Sequence, residues 1–124
     1  MKQLVIEGTK QSPRVELNPT GELKIQGRCI IEDSVEFFKP IFKWVNCSTF
    51  KTLHIDINLE YINTSSVKQL YSLLILVKSN RDITNVYINW YYEEGDEDTL
   101  ELGQDIESQV NIPFDFFEIA EKVA

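Results

Sequence analysis

Hydrophobic and polar residues alternate with a period of two along several parts of the chain, as they do in strands that bury one face of a sheet. The segments RVEL and ELKIQGRCII alternate on either side of Asn18-Pro19-Thr20-Gly21, a turn-forming sequence. Together they predict a β-hairpin. Residues 51–62 and 84–91 alternate in the same way and predict two further strands.

Three other stretches carry apolar residues at helical spacing. The first covers residues 33–46, where Pro40 falls beyond the first turn, so we expect this helix to kink there or to begin later. The second covers residues 65–79 and is so densely apolar that we expect it to be deeply packed or covered by a partner. The third follows the acidic stretch 93–98, whose carboxylates suit a helix N-terminus.

The polar face of each predicted strand decides the architecture. Strands of a parallel sheet that is covered by helices on both sides are apolar throughout, whereas these strands keep one polar face. We therefore predict an α/β fold, a mixed sheet with helices packed mainly on one face, ending in a short edge strand at Ile112–Phe117. No repeat or linker divides the sequence, so residues 1–124 are predicted to form a single domain with right-handed crossovers.

This architecture specifies which strand residues lie in the core. Asp56 and Asn58 should be more exposed than their apolar neighbours on the same strands. The residues expected under the helices are Leu53, Ile55, Ile57, Val86, Ile88 and Trp90.

Composition excludes several classes of function. The chain has 124 residues, 43% of them hydrophobic, and a net charge of −8, which opposes binding to nucleic acid or to an anionic membrane surface. No apolar run approaches the ~20 residues that span a bilayer. Because the first residues lead into the strand-like LVIEG rather than a signal-peptide core, we expect a cytoplasmic location.

Few residues carry recognisable catalytic or metal-binding chemistry. Cys29 and Cys47 lack the spacing of a zinc site or a disulfide framework, and no cofactor motif occurs, so no cofactor is expected. His54, the only histidine, shares a strand face with Asp56 and could form an acid–base pair. A solvated polar strand face explains the same pattern.

Four hydrogen-bonding residues, Asn63-Thr64-Ser65-Ser66, stand where the strongest predicted strand meets the apolar helix. One such residue would cap the helix by accepting hydrogen bonds from its free N–H groups. Capping needs only one residue, however. Consecutive hydroxyls at a helix N-terminus also form a site where an added phosphate meets free N–H donors and the positive end of the helix dipole.

The run of residues 58–68, followed by Trp90-Tyr91-Tyr92 and the acidic stretch, resembles the SiaC family of bacterial regulatory phosphoproteins. The resemblance extends along nearly the whole chain, from Ile6-Glu7-Gly8-Thr9 to Pro113-Phe114. Its most specific element is the Tyr-x-Asn-Thr-Ser-Ser core.

The resemblance implies a fold similar to STAS domains, the anti-sigma-factor antagonists. It also implies that Thr64 is phosphorylated by a dedicated kinase and dephosphorylated by a PP2C-type phosphatase. In the characterised branch of the family, the unphosphorylated protein binds and activates a diguanylate cyclase, which promotes cyclic di-GMP synthesis and biofilm formation. Around the phosphorylation site, the candidate partner-binding residues are Glu60, Asn63, Ser65, Ser66 and Lys68.

The sequence therefore predicts a non-enzymatic regulatory phosphoprotein controlled at Thr64. Ser65 and Ser66 are alternative targets for a kinase that reaches this turn. Two alternative functions stay open: a partner-switching antagonist that binds an anti-sigma kinase, and an acid–base enzyme that uses His54 and Asp56.

Overall fold

The computed structural model describes residues 2–121 of the chain and contains one six-stranded sheet and three helices in this part. The strands are β1 (Leu4–Ile6), β2 (Arg14–Asn18), β3 (Glu22–Cys29), β4 (Thr52–Ile62), β5 (Asn85–Glu93) and β6 (Phe114–Ile119). The helices are α1 (Ser34–Asn46), α2 (Thr64–Ser79) and α3 (Glu97–Val110).

The strands lie in the sheet in the same order as in the sequence. β1, β2 and β3 pair antiparallel, while β3, β4, β5 and β6 pair parallel, so the sheet is mixed as predicted. Three helical crossovers join successive neighbouring parallel strands. Because such crossovers share one hand, they carry the helices to the same side of the sheet. The predicted architecture, a mixed sheet with helices mainly on one face, is confirmed.

The β2–β3 hairpin forms where the turn sequence predicts it. The N–H of Gly21 donates to the carbonyl of Asn18 at 2.9 Å, which closes the turn. Gly21 has a φ of +104°, and a Cβ at this position would collide with the carbonyl oxygen of Thr52. Only glycine therefore fits the turn.

Helix α1 begins at Ser34 and continues through Pro40, so the alternative that it begins after the proline is wrong. The Asp33 carboxylate caps the helix by accepting a hydrogen bond from the N–H of Glu36 at 3.1 Å. Pro40 supplies no N–H to the carbonyl of Glu36, but both residues are exposed and water can hydrogen-bond that carbonyl. The exposed position makes the proline tolerable.

Helix α2 is the middle helix and contacts both α1 and α3. This position explains why its apolar residues occupy more than one stripe. Of the two explanations offered for its sequence, deep packing within the fold accounts for Leu70, Leu73, Leu74 and Val77, which are buried.

The core lies between the helices and one face of the sheet. Leu53, Ile55 and Ile57 of β4 are fully buried, whereas Asp56 and Asn58, which point to the other face, are partly exposed. Ile88 and Trp90 of β5 are also buried as predicted. Val86 differs from the prediction because it is only partly buried.

Trp90 fixes α3 against the sheet. Its indole Nε1 donates to the carbonyl of Thr99 at 3.0 Å, and its ring lies directly under Gly103. A Cβ on Gly103 would lie 2.6 Å from the ring. The helix approaches the sheet this closely only because position 103 has no side chain.

Gly103→Ala should therefore destabilise the protein, although alanine is the better helix former by about 1 kcal/mol. The methyl group would push α3 away from Trp90, and such overpacking costs about 1–3 kcal/mol. Urea unfolding should show a lower free energy of unfolding. The control Ser108→Ala, at an exposed position of α3, should leave it unchanged or slightly higher. Equal stability of Gly103→Ala and wild type would contradict this packing.

Candidate functional site

The carboxyl ends of the parallel strands form one edge of the sheet, which we call the carboxyl edge. Three helices begin there, capped by the side chains of Asp33, Asn63 and Asp96. In α/β sheets this edge is where binding sites usually form, because loops and helix N-termini converge on it.

Asn63 connects the two loops at the middle of the carboxyl edge. Its side-chain oxygen accepts from the N–H of Ser66 at 3.1 Å and thereby caps α2. Its side-chain nitrogen donates to the carbonyl of Ile31 at 2.8 Å, and its backbone N–H donates to the carbonyl of Cys29 at 2.9 Å. One residue therefore holds the start of α2 against the segment that follows β3.

Because Asn63 caps the helix, the hydroxyl groups that follow it are not needed for capping. Thr64 is the first residue of α2 and is exposed, and its hydroxyl forms no hydrogen bond with any residue in 2–121. Ser65 is also exposed, with its hydroxyl 3.5 Å from the Asn63 side-chain oxygen. Both hydroxyls are accessible from solvent.

Ser66 differs from its neighbours because it is fully buried. Its hydroxyl lies beside the buried thiol of Cys29 and has no nitrogen or oxygen partner within the described part of the chain. Burial raises the pKa of the Cys29 thiol, and the hydroxyl of Ser66 opposes that rise. Because its side chain is buried, Ser66 is not accessible to a partner or to a kinase in the folded protein.

A shallow acidic pocket of about 210 Å³ lies at the carboxyl edge between the end of β4 and the start of α3. Glu60, Asp96 and Asp98 contribute its carboxylates. The register between β3 and β4 shifts here, so that Arg28 pairs with Tyr61 and Glu60 has no partner on β3. The guanidinium of Arg28 lies 5.0 Å from the centre of the Tyr61 ring, which is 59% exposed.

Comparison with protein families gives a match over residues 6–119 to the model described as SiaC family regulatory phosphoprotein. The chain belongs to the SiaC family. The expected family resemblance is thus confirmed over almost the entire length of the chain.

Relatives and solved structures agree with this assignment. An uncharacterized protein of Pseudomonas aeruginosa (strain UCBPP-PA14) is 29% identical over 119 residues, which cover 92% of this chain and 94% of that protein. In the crystal structure of apo-SiaC from P. aeruginosa, the SiaC chain is 28% identical in sequence to this chain. The two superpose with a TM-score of 0.81 over 94% of this chain and 98% of that chain.

A second structure shows SiaC with a partner. It is the crystal structure of the diguanylate cyclase SiaD in complex with its activator SiaC from P. aeruginosa. Its matched chain is 28% identical to this one, with a TM-score of 0.84 over 94% of this chain and 99% of that chain.

Within this SiaC-family chain, the predicted site residues are separated by burial. Thr64, Ser65 and Lys68 are exposed on the first turns of α2, and Glu60 is exposed at the end of β4. Asn63 is half-buried because both of its side-chain ends are hydrogen-bonded within the protein.

Sequence reasoning did not associate the acidic stretch with this site. Asp96 and Asp98 lie more than thirty positions after Glu60, yet they line the same pocket. The strand order contains the signal that was missed. Because β4 and β5 are parallel neighbours, the residues that follow each of them meet at the same edge.

His54 and Asp56 lie on the open face of the sheet, opposite the face that the helices of residues 2–121 cover. The His54 ring stacks on Tyr87 at 5.1 Å, and the Asp56 carboxylate accepts a hydrogen bond from the Asn89 side chain at 2.8 Å. The two side chains therefore interact with residues of β5 rather than with each other, which does not favour an acid–base pair.

Residues 2–121 lack two further features. No group of three or more histidine, cysteine, aspartate or glutamate side chains there is arranged to hold a metal ion. Among the helices of that range, none is both long enough and apolar enough to cross a membrane.

The capping geometry predicts different effects for two neighbouring substitutions. Asn63→Ala removes the cap of α2 and the hydrogen bond to Ile31, so it should lower the free energy of unfolding by about 1–3 kcal/mol. Thr64→Ala removes an exposed hydroxyl without a partner and should change it by less than about 0.5 kcal/mol. Urea titration of both variants measures the difference. A larger loss for Thr64→Ala than for Asn63→Ala would show that the cap is assigned to the wrong residue.

Proposed function

We propose that this chain is a non-enzymatic regulator that binds and activates a diguanylate cyclase, and that phosphorylation of Thr64 prevents this binding. The observation that carries the proposal is the exposed, unbonded hydroxyl of Thr64 in a chain of the SiaC family of regulatory phosphoproteins. The cyclase is suggested by the family member SiaC, which is described as the activator of SiaD in their complex.

The start of α2 gives a physical reason for control at Thr64. The first N–H groups of a helix have no acceptor within the helix. Here the Asn63 side chain and carbonyl accept from Ser66 and Val67, which leaves the N–H groups of Thr64 and Ser65 for an outside acceptor. In the unmodified protein these donors are available to a carbonyl or carboxylate of the partner.

A phosphate on Thr64 would compete for the same donors. It carries a charge of about −1.5 to −2 and three acceptor oxygens, and it would stand at the positive end of the α2 dipole. A carbonyl or carboxylate of the partner would then find the N–H groups of Thr64 and Ser65 already occupied. A carboxylate would in addition be repelled by the negative charge of the phosphate. The carboxylates of Glu60, Asp96 and Asp98 line a pocket at the same edge of the sheet, so the phosphate would add negative charge to an edge that already carries several carboxylates.

The remaining components follow from this role. A dedicated protein kinase would modify Thr64, and a PP2C-type phosphatase would restore the binding form in the cytoplasm. Glu60, Ser65 and Lys68 are exposed within four positions of Thr64 in the sequence and are the proposed contacts for the partner. The output would be cyclic di-GMP and, through it, biofilm formation.

Substitution at Thr64 tests the proposal. The chain with Thr64→Ala should bind the cyclase from the same source and stimulate cyclic di-GMP synthesis in the presence of active kinase, whereas wild type should lose both. Thr64→Glu should weaken binding, though less than phosphate, because a carboxylate has less charge and fewer acceptors. Thr49→Glu is the matched control, since it adds the same charge to an exposed threonine before β4, at the opposite edge of the sheet.

Phosphosite mapping separates Thr64 from Ser65. Wild type, Thr64→Ala and Ser65→Ala are incubated with the kinase, and the modified residue is identified by mass spectrometry. Phosphate on Ser65 of the Thr64→Ala chain, with cyclase binding still abolished, would overturn the choice of Thr64. Capture of an anti-sigma kinase in place of a cyclase would instead support the partner-switching alternative.

His54→Ala should leave cyclase binding and activation within about twofold of wild type. The His54 ring packs on Tyr87 at the open face, and the residues proposed for partner binding lie at the carboxyl edge. Binding and cyclic di-GMP synthesis are measured together with the circular dichroism spectrum. Loss of function in a variant with an unchanged spectrum would reopen the acid–base alternative.

A further inference from the structure

A mostly apolar groove of about 440 Å³ lies between edge strand β1 and helix α1. Leu4 of β1 lines one side, and Pro40 and Trp44 of α1 line the other. The groove is near the C-terminal end of α1, whereas the carboxyl edge is at its N-terminal end. Ten residues of helix, about 15 Å, separate Asp33 from Lys43 at the groove.

The strand beside the groove has a free edge. β1 pairs with β2 on one side, and no strand of residues 2–121 pairs with it on the other. Such an edge presents unpaired backbone N–H and C=O groups to another chain. A peptide that added as a strand would place every second side chain on the helix side of the sheet, toward the groove.

The charge at the groove indicates the composition of such a peptide. Lys2 and Lys43 line it, and no carboxylate does. Neither lysine takes part in an ion pair with any residue in 2–121. The chain has a net charge of −8, but the charged side chains of this groove are both lysines. The groove is therefore complementary to an acidic ligand.

Trp44 supplies a second observation. The residue is 7% exposed, and its indole N–H has no acceptor within the described residues. The other tryptophan, Trp90, has an indole N–H that is already bonded to the carbonyl of Thr99 at 3.0 Å. Buried donors are normally paired, so Trp44 has an unused donor next to a groove that can receive a ligand.

We propose that β1 and this groove bind an extended segment of a partner protein, in which the residues that face the helices, every second one, are large apolar residues together with aspartate or glutamate. The segment adds to the sheet as a seventh strand, its apolar side chains fill the groove, and its carboxylates pair with Lys2 and Lys43. This surface is separate from Thr64, and the binding of a partner segment there is additional to the function proposed above.

Selection from random ten-residue peptides displayed on phage tests the proposal, with the whole unmodified protein as target. The selected peptides, once synthesised, should carry their apolar and acidic residues together at the alternate positions that face the helices. They should bind Lys43→Glu about fivefold more weakly than wild type, the scale of one exposed ion pair. Lys51→Glu, an equal charge change at an exposed residue before β4, should bind like wild type.

Two readouts report on the binding mode. In a ¹H–¹⁵N spectrum, the indole signal of Trp44 should move when the peptide is added, while that of Trp90 should stay in place. Methylation of alternate peptide nitrogens that pair with β1 should abolish binding, because the strand hydrogen bonds are lost. Thr64→Glu should leave peptide affinity unchanged, so this result is independent of the proposed control at Thr64.

Several outcomes would overturn the proposal. These are a selection that yields no binders, binders with helical spacing or basic residues, and affinities unaffected by Lys43→Glu. Binding of dodecanoate at the groove, with a shift of the Trp44 signal and no binding of the peptides, would assign the groove to an anionic amphiphile instead.

Discussion

The side chain of Asn63 makes the interaction on which the candidate site depends. It caps α2 through Ser66 and holds the loop after β3 through Ile31, so the two neighbouring crossovers start from one fixed point. An asparagine suits this position because its amide offers an acceptor and a donor at the same time. With capping assigned to Asn63, the hydroxyl of Thr64 can change its chemistry without disturbing the helix.

Burial then distinguishes hydroxyls that look equivalent in the sequence. Thr64 and Ser65 extend outward from the first turn of α2, while Ser66 faces the thiol of Cys29 in the core. A kinase can modify only a hydroxyl that it can reach, and a phosphate on Ser66 would disrupt the packing of the core. Ser66 is therefore unsuitable as a target. The same turn thus combines a buried structural side with an exposed side that carries the proposed phosphorylation site.

The fold could be predicted from the sequence because its signals are local. Alternation along β4 and β5 determined the buried face, and turn residues determined the hairpin. Local pattern was insufficient where the environment of a residue depends on parts of the structure that are distant in the sequence. Continuation of α1 through Pro40 depends on solvent exposure of that face, and the burial of Ser66 depends on β3. The proximity of Asp96 and Asp98 to Glu60 follows from strand order, which local pattern does not contain.

The central claim is that a phosphate on Thr64 takes up the free donors of α2 and excludes the cyclase. The most direct measurement is titration calorimetry of the cyclase with two preparations of the wild-type chain, one unmodified and one fully phosphorylated on Thr64. The account predicts binding of the unmodified chain and an affinity at least about tenfold weaker for the phosphorylated chain, equivalent to about 1.4 kcal/mol. Equal affinities for the two preparations would contradict it.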